Sequence, residues 1–326
     1  MNHESRRWTR QLGLAFVGAA ALLGVVGGAA YLRGASGNFL QGPSCAPLDP
    51  AAQGWRLSFW EEFDRLDAFE GQRSRWQPHF LSGQRTIAAN GERQIYVDPG
   101  FAGATRSPLG LNPFTVANGV LAITARETDA ALRAKLGSEE ARYTSGLLMT
   151  AHSFQQTYGY FEIRARMPAG RGLWPAFWLL PPEWRWPPEI DVLEVFGQEL
   201  EKLYVSVHTA EGGKHKGHTQ AVRVPDTSLG FHTYGVLWTR ERLTWFFDGC
   251  RIADAQTPAD LHGPMYMLIN LAVGGTWATY PDRTTRFPAV FQVDHVRAYA
   301  LPEPSGQVPQ EPRPTAPQAR PAVKTD

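Results

Sequence analysis

The feature that most constrains this chain is a six-residue run from Glu189 to Glu194, EIDVLE, in which three carboxylates interrupt a typical buried strand. Alternate side chains of a strand share a face, so Glu189 and Asp191 lie together while Glu194 falls on the opposite face. One extra residue at Val192 or Leu193 would return Glu194 to the shared face. The spacing therefore predicts a β-bulge, a device that redirects side chains beside active sites.

Two carboxylates on one face suit hydrolysis of a glycosidic bond, because one can attack the anomeric carbon while the other protonates the leaving oxygen. A third carboxylate can hold the first in position. Two other interpretations remain open for the acidic run on its own. It can form a structural cation site, since calcium relieves the repulsion between neighbouring carboxylates, or a solvated edge strand.

Tryptophans crowd the segment directly before the acidic run, with four of them in the thirteen residues from Trp174 to Trp186. A single tryptophan is usually core filler, but indole faces also stack on the flat C–H faces of sugar rings. Trp184 and Trp186 lie among four prolines, which predicts an exposed loop rather than a core position.

These motifs together resemble glycoside hydrolase family 16, in which an ExDxxE strand follows a WPAFW segment such as the one from Trp174 to Trp178. The spacing is similar to the bulged branch of the family, which holds laminarinases and related bacterial endoglucanases. The resemblance covers roughly Trp55 to Ala300. Further similar blocks lie at Gly159–Arg166, His232–Trp238, Asn270–Trp277 and Val293–Tyr299.

The resemblance implies an all-β fold, a concanavalin A-like β-jelly-roll sandwich with a concave substrate cleft. Segments rich in β-branched and aromatic residues, separated by Gly and Pro, agree with it. One helical segment is expected within Asp129–Tyr143, with Asp129 as N-cap and Gly137 as its stop. Strands are predicted at Trp55–Phe63, Gly119–Arg126, Tyr158–Met167, Leu203–Thr209, Leu243–Asp248, Tyr266–Val273 and Phe291–Tyr299.

The resemblance also assigns roles within the acidic run. Glu189 would be the nucleophile, Glu194 the general acid that later becomes the base, and Asp191 the bridge between them. Two alternative functions use the same fold. A lectin-like glycan-binding module would lack catalysis, although it would have no need of the intact carboxylate trio. A transglycosylase would pass the covalent intermediate to a sugar hydroxyl instead of water.

Four substrate-binding residues are implied by the resemblance. Trp174, Trp178 and Trp277 match positions that line family subsites, and Asn90, in the segment NGERQ, resembles a motif on the non-reducing side of the cleft.

Three histidines remain. His208 ends an alternating segment that is a plausible neighbour of the acidic strand, and it is a further candidate substrate-binding residue, although a lone strand histidine is more often structural. His215 and His218 have a suggestive spacing, but no carboxylate or cysteine accompanies them and lysines flank them. We interpret residues 212–218 as a polar loop.

Charge and composition limit the partners. The chain of 326 residues has 32 Lys and Arg against 31 Asp and Glu, which argues against nucleic acid and favours a neutral or weakly charged polysaccharide substrate. We expect a monomer that needs no cofactor and no catalytic metal; a family-typical structural calcium remains open, with no ligands that can be named. Pro188 replaces the Gly of many family members, and the Trp184–Pro188 loop resembles that of bacterial exopolysaccharide-processing endoglycanases.

The chain ends carry different signals from the middle. Three arginines precede an uncharged apolar stretch from Gln11 to Leu32, so residues 1–37 are interpreted as a signal or a membrane anchor. The arginines place the catalytic domain outside the cytoplasm, either anchored to the inner membrane facing the periplasm or secreted. Residues 38–53 are expected to be a linker, 54–301 the catalytic domain and 302–326 a disordered Pro-rich tail. Outside the cytoplasm Cys45 and Cys250 can pair, but the sequence does not establish that they do.

Overall fold

The computed structural model describes residues 45–183 and 185–302, and strands dominate this part of the chain. One short helix, α1, spans Ala130–Leu136. In chain order the strands are β1 Arg56–Glu61, β2 Gln94–Tyr96, β3 Phe114–Ala117, β4 Val120–Glu127, β5 Tyr143–Ser145, β6 Leu147–Met149, β7 Gly159–Arg166, β8 Leu173–Leu180, β9 Glu189–Glu194, β10 Lys202–Thr209, β11 Lys216–Arg223, β12 His232–Trp238, β13 Arg242–Phe247, β14 Cys250–Gln256, β15 Tyr266–Val273 and β16 Ala289–Ala300.

The described strands form two sheets that pack face to face. The larger, ten-stranded sheet runs β14-β13-β12-β7-β16-β4-β5-β2, with β1 also paired to β16 and β3 to β4. The six-stranded sheet runs β11-β10-β9-β8-β15-β6. Neighbouring strands are antiparallel except for β2 and β5. This arrangement is the predicted β-jelly-roll sandwich, and the strand predictions agree with it to within a few residues at each end.

The main core fills the space between the sheets. Its largest members, Trp76, Trp238 and Trp245, are fully buried. Strand β15 is buried along its whole length because both of its faces are covered. Its inward side chains join the main core, while Tyr266 and Leu268 on the outer face lie in a second cluster with Phe80 and other residues of the segment before β3. That segment covers one end of the outer face of the six-stranded sheet.

Helix α1 is shorter than the predicted segment Asp129–Tyr143. Asp129 is the N-cap, as predicted, and its side chain accepts a hydrogen bond from the Leu132 N–H at 2.7 Å. Gly137 ends the helix in the left-handed conformation at φ 75°, which glycine adopts without steric cost. The extension of helix beyond Gly137 is therefore wrong, and by Tyr143 the chain has entered β5.

The segment predicted as a linker, 38–53, is described from Cys45 onward, and there it is tied to the sandwich. Cys45 forms a disulfide with Cys250, and the Leu48 N–H donates to the Gly249 carbonyl at 2.9 Å. Asp248 and Gly249 both have positive φ, as a tight hairpin turn between β13 and β14 requires. A Cβ at position 249 would also lie 2.8 Å from Pro47 Cβ, so this close approach needs glycine.

In residues 45–183 and 185–302, no helix has the length and apolar character that a bilayer crossing requires. The predicted anchor or signal, 1–37, and nearly all of the predicted tail, 302–326, lie outside the described residues.

Candidate active site

Strand β9 contains the predicted bulge. On one side Phe177 pairs with Leu193 and Trp178 with Asp191, which leaves Val192 as the extra residue. The register with β10 shifts in the same place. Val192 and Leu193 both belong to the main core, so two consecutive side chains point inward. Glu194 consequently returns to the outer face that carries Glu189 and Asp191. The edge-strand interpretation is wrong, since β9 lies between β8 and β10.

The bulge is held from the opposite sheet. Trp245 on β13 is buried in the core, and its indole N–H donates to the backbone carbonyl of Asp191 at 2.9 Å. A bulge disrupts the regular ladder of backbone hydrogen bonds, and a buried carbonyl needs a donor. Trp245 supplies that donor across the sandwich, so the backbone that carries the middle acid is tied to the ten-stranded sheet. No pattern in the sequence predicts this role of Trp245.

The Glu189 end of the strand is polar and carries a cation. The Trp186 indole N–H donates to the carboxylate of Glu189. His208 pairs with Glu189 in the β9–β10 register, and its Nε2 lies 3.3 Å from Asp191 Oδ2, which is an ion-pair distance. The other ring nitrogen of His208, Nδ1, lies 3.0 Å from Nε2 of His215.

The Glu194 end of the strand is aromatic. The Trp174 indole N–H donates to Glu194 Oε1 at 3.0 Å. The Trp174 ring packs edge-on against Phe196 and Trp277, with centroids 5.9 Å and 5.7 Å away. Tyr204, which pairs with Glu194 in the register, also packs against Trp277 at 5.2 Å. The donor to the carboxyl group of Glu194 is thus part of a cluster of uncharged rings.

The two glutamates differ in their electrostatic surroundings. Burial raises the pKa of Glu194 well above its usual range, the charges of Asp191 and Glu189 add to the rise, and the Trp174 N–H opposes it. Burial and Asp191 also raise the pKa of Glu189, but there the His208 cation and the Trp186 N–H act in the opposite direction. The pKa of both carboxyl groups therefore lies well above the usual range, and only the Glu189 end has a cation that opposes the rise.

His208 carries that positive charge at neutral pH. Burial disfavours its cation, but the contact with Asp191 and the charges of Asp191 and Glu189 outweigh burial and raise the pKa of His208 to about 9. Glu189, Asp191 and His208 offer ligand atoms within 4.8 Å of one another, close enough for a metal ion. A metal ion there would have to displace the proton of His208, because an imidazole ligand is neutral. The trio is better described as an ion-paired acid cluster.

The structure brings the predicted binding residues to the same outer face with different exposure. Trp277 is 45% exposed, whereas Trp174 and Trp178 are 9% and 8% exposed. Trp178 donates its indole N–H to Asn270 Oδ1 at 2.8 Å, so the polar group of this side chain already has a partner within the protein. Asn90 is joined to the loop of Trp277, because its carbonyl accepts from the Thr276 N–H at 2.8 Å. Their contact with glycan stays a prediction.

The interpretation of residues 212–218 as a polar loop is partly wrong. Strand β11 begins at Lys216, and His218 pairs with Val207 on β10. His215 stacks against His208, with ring centroids 5.2 Å apart. The flanking lysines argue against a metal site at His215, but they do not predict whether His215 contacts a residue across the hairpin. Asn270 is a further site residue that the sequence did not single out.

The chain belongs to glycosyl hydrolases family 16, whose model matches residues 111–288, more than half of the chain. This confirms the resemblance, and the acid strand with its bulge lies within the matched segment.

Relatives with established names agree with the family. The chain is 44% identical over 247 residues to the endo-1,3-1,4-beta-glycanase ExsH of Rhizobium meliloti, covering 75% of this chain and 51% of that protein. It is 36% identical over 208 residues to a beta-glucanase of Rhodothermus marinus, covering 56% of this chain and 69% of that one. The chain thus spans about half the length of the ExsH-type relative.

A solved structure with the same architecture is the endo-beta-1,3-glucanase of Pyrococcus furiosus. It superimposes with a TM-score of 0.62 at 30% identity, covering 77% of this chain and 96% of the other.

Proposed function

We propose that this protein is a retaining endo-glycosidase that hydrolyses a β-linked glucan or a bacterial exopolysaccharide through a covalent glycosyl-enzyme. The observation that carries the proposal is the bulge in β9, which places Glu189, Asp191 and Glu194 on one outer face. The two ends of the strand give the two glutamates different neighbours, a cation beside Glu189 and aromatic rings beside Glu194, which supports the two different roles of double displacement.

In the first step Glu189, ionised beside His208, attacks the anomeric carbon of the bound sugar. Glu194, held protonated by burial and by the neighbouring anions, gives its proton to the leaving oxygen. The glycosidic C–O bond breaks as the ester bond to Glu189 forms. Asp191 lies between the two glutamates and balances the charge of His208 at 3.3 Å.

In the second step Glu194 changes from acid to base. Formation of the ester removes the charge of Glu189, so one of the anions that raised the pKa of Glu194 is gone. The carboxylate of Glu194, which has just lost its proton, can now take a proton from water. The resulting attack on the anomeric carbon releases the sugar with its original configuration and frees Glu189.

The proposed substrate class follows from the relatives. ExsH is named for 1,3-1,4-beta-glycan cleavage and the Pyrococcus protein for beta-1,3-glucan cleavage. We therefore place β-1,3-glucan, mixed β-1,3/1,4-glucan and a bacterial exopolysaccharide with such linkages first. The half-exposed indole of Trp277, next to the acid end, supplies a surface on which a sugar ring can stack.

We further propose that the protein works outside the cytoplasm as a monomer, tethered to a membrane or released, and without a cofactor. The Cys45–Cys250 disulfide supports an oxidising compartment. The acid cluster supports cofactor-free chemistry, because nucleophile, acid and balancing charge all come from the chain itself.

The test is to incubate the purified chain with β-1,3-glucan, mixed-linkage glucan, galactans and bacterial exopolysaccharides and to follow new reducing ends by proton NMR. We expect cleavage of at least one β-glucan or exopolysaccharide, with the β-anomer appearing first. Glu189→Gln, which preserves shape but removes the nucleophile, should lower the rate by about four orders of magnitude or more. Glycan binding by Glu189→Gln should persist in affinity electrophoresis.

Three outcomes would contradict the proposal. Binding without cleavage by the unaltered chain would indicate a lectin-like module. Longer chains on addition of a sugar acceptor, with little free reducing end, would indicate a transglycosylase. Initial release of the α-anomer would exclude the retaining mechanism.

A further inference from the structure

His215 lies in contact with both groups that act on the nucleophile. Its Nε2 is 3.0 Å from Nδ1 of His208, the ring nitrogen that Asp191 does not contact, and the two imidazoles stack at 23°. Its ring centroid is also 4.5 Å from that of Trp186, whose indole N–H donates to Glu189. A residue just outside β11 thus joins the cation and the donor at the Glu189 end.

The hairpin leaves space for this contact. Gly217 pairs with His208 in the β10–β11 register. A Cβ at position 217 would lie 3.0 Å from Nδ1 and 3.1 Å from Cε1 of His208, tighter than ordinary contacts. With glycine there, the ring of His208 can lie over the hairpin and reach His215. The site therefore depends on two residues of the hairpin, one that makes the contact and one that permits it.

We propose that His215 is a positioning residue for the reaction at Glu189: it accepts the Nδ1–H hydrogen bond of His208 and packs against Trp186, and so fixes both partners of the nucleophile. The inference rests on the proposed function for its kinetic consequence, but the contact itself can be tested without any substrate.

The proton distribution fits this role. Partial desolvation, followed by the charge of His208, lowers the pKa of His215, while the pKa of His208 is raised to about 9. At neutral pH the proton therefore lies on His208, which donates from Nδ1 to the lone pair of His215. The charged groups facing this pair are Asp191 and Glu189 from β9, and Lys214 and Lys216 flank His215 in the chain.

The experiment compares three variants of the full chain. His215→Phe keeps a ring against Trp186 and removes the acceptor. His215→Gln restores an acceptor oxygen without the ring. His218→Ala, three residues on, pairs with Val207 outside the site and is the matched control. Each is checked for an unchanged circular dichroism spectrum and melting temperature before kinetics.

We expect His215→Phe to lower kcat about tenfold, the size of one lost charge-assisted hydrogen bond, with KM changed less than about twofold. The titration midpoint of His208, followed by NMR of its ring nitrogens, should fall by about one pH unit, since the cation loses its acceptor. His215→Gln should recover most of both effects, and His218→Ala should match the unaltered chain in both.

A merely structural role of His215 would lower the melting temperature and leave the His208 titration in place. The inference is overturned if the midpoint of His208 is the same in His215→Phe and in the unaltered chain. Gly217→Ala provides a second approach, because crowding of His208 should lower kcat and the midpoint together. An unchanged midpoint in both variants, in a chain that still cleaves glycan, would reject this inference and leave the proposed function intact.

Discussion

The two ends of strand β9 carry the same side chain in opposite settings. Glu189 has an imidazolium nearby and an indole N–H on its carboxylate. Glu194 has the indole N–H of Trp174 as its side-chain donor among the described residues, and the Trp174 ring packs against Phe196 and Trp277. The difference indicates that neighbours on β8 and β10, and not residue type, would set the proposed roles of nucleophile and acid.

The strongest test of the difference between the two ends of β9 is a substitution of Glu194. Glu194→Ala should slow cleavage of a natural glucan about a thousandfold, because general acid catalysis contributes on this order. An aryl glycoside with a good leaving group should lose far less, since its oxygen needs no proton. Steady-state kinetics on both substrates make the check, and equal losses would remove the acid role from Glu194.

At the opposite end, His208→Gln should lower kcat/KM at neutral pH about thirtyfold and change the acid side of the pH profile. The His208 cation lowers the pKa of Glu189, so its removal lets that pKa rise, and the acid limb should move to higher pH. The unaltered chain should also lose activity above about pH 9 as His208 deprotonates. An acid limb that stays in place would show that His208 does not act on the nucleophile.

Trp174→Phe should have a smaller effect, of about fivefold on kcat, and should move the other limb. The ring contacts with Phe196 and Trp277 remain, but Glu194 loses the N–H that stabilises its anion. Its pKa should rise further, so the alkaline limb of kcat/KM moves to higher pH. Glu194→Gln in the same background is the control, since it lacks the contribution of Glu194 to the alkaline limb and keeps that of His208. A shift of the acid limb instead would reverse the assignment of the two ends.

The smallest kinetic effect is expected far from β9. Replacing both Cys45 and Cys250 by serine removes a link that closes a loop of 205 residues in sequence. Stability should fall by about 2–5 kcal/mol in urea unfolding, while kcat and KM at 25 °C stay the same. A large loss of activity in the folded variant would mean that the tether of Cys45 reaches the cleft, which the contacts near Gly249 do not suggest.

Much of the site follows from local pattern. The five-residue separation between Glu189 and Glu194 requires a bulge if both face one side, and the bulge lies at the predicted residues. The family resemblance adds the jelly roll and the identity of the acids. The helix caps Asp129 and Gly137 could be predicted for the same reason, because each depends only on the neighbouring turn of the helix.

The contacts that the sequence does not predict depend on strand register and on how the two sheets pack. His215 contacts His208 only because β10 and β11 pair so that Gly217 lies opposite His208, which composition and spacing do not reveal. Trp245 contacts the bulge from the other sheet, fifty-four residues away. The pairing of Cys45 with Cys250 likewise needed the turn at Gly249 to be placed beside the chain's first described residues.

The hydrogen bond from Trp245 to the Asp191 carbonyl has a consequence for how such a protein can diversify. The backbone of Asp191 is held by a hydrogen bond from the core side of the sandwich. This hydrogen bond does not involve the residues proposed to bind the sugar. Loops at the front can therefore change to accept a new polymer while the backbone position of Asp191 stays the same. A substitution at Trp245, in contrast, should lower the rate of cleavage of every substrate to a similar extent.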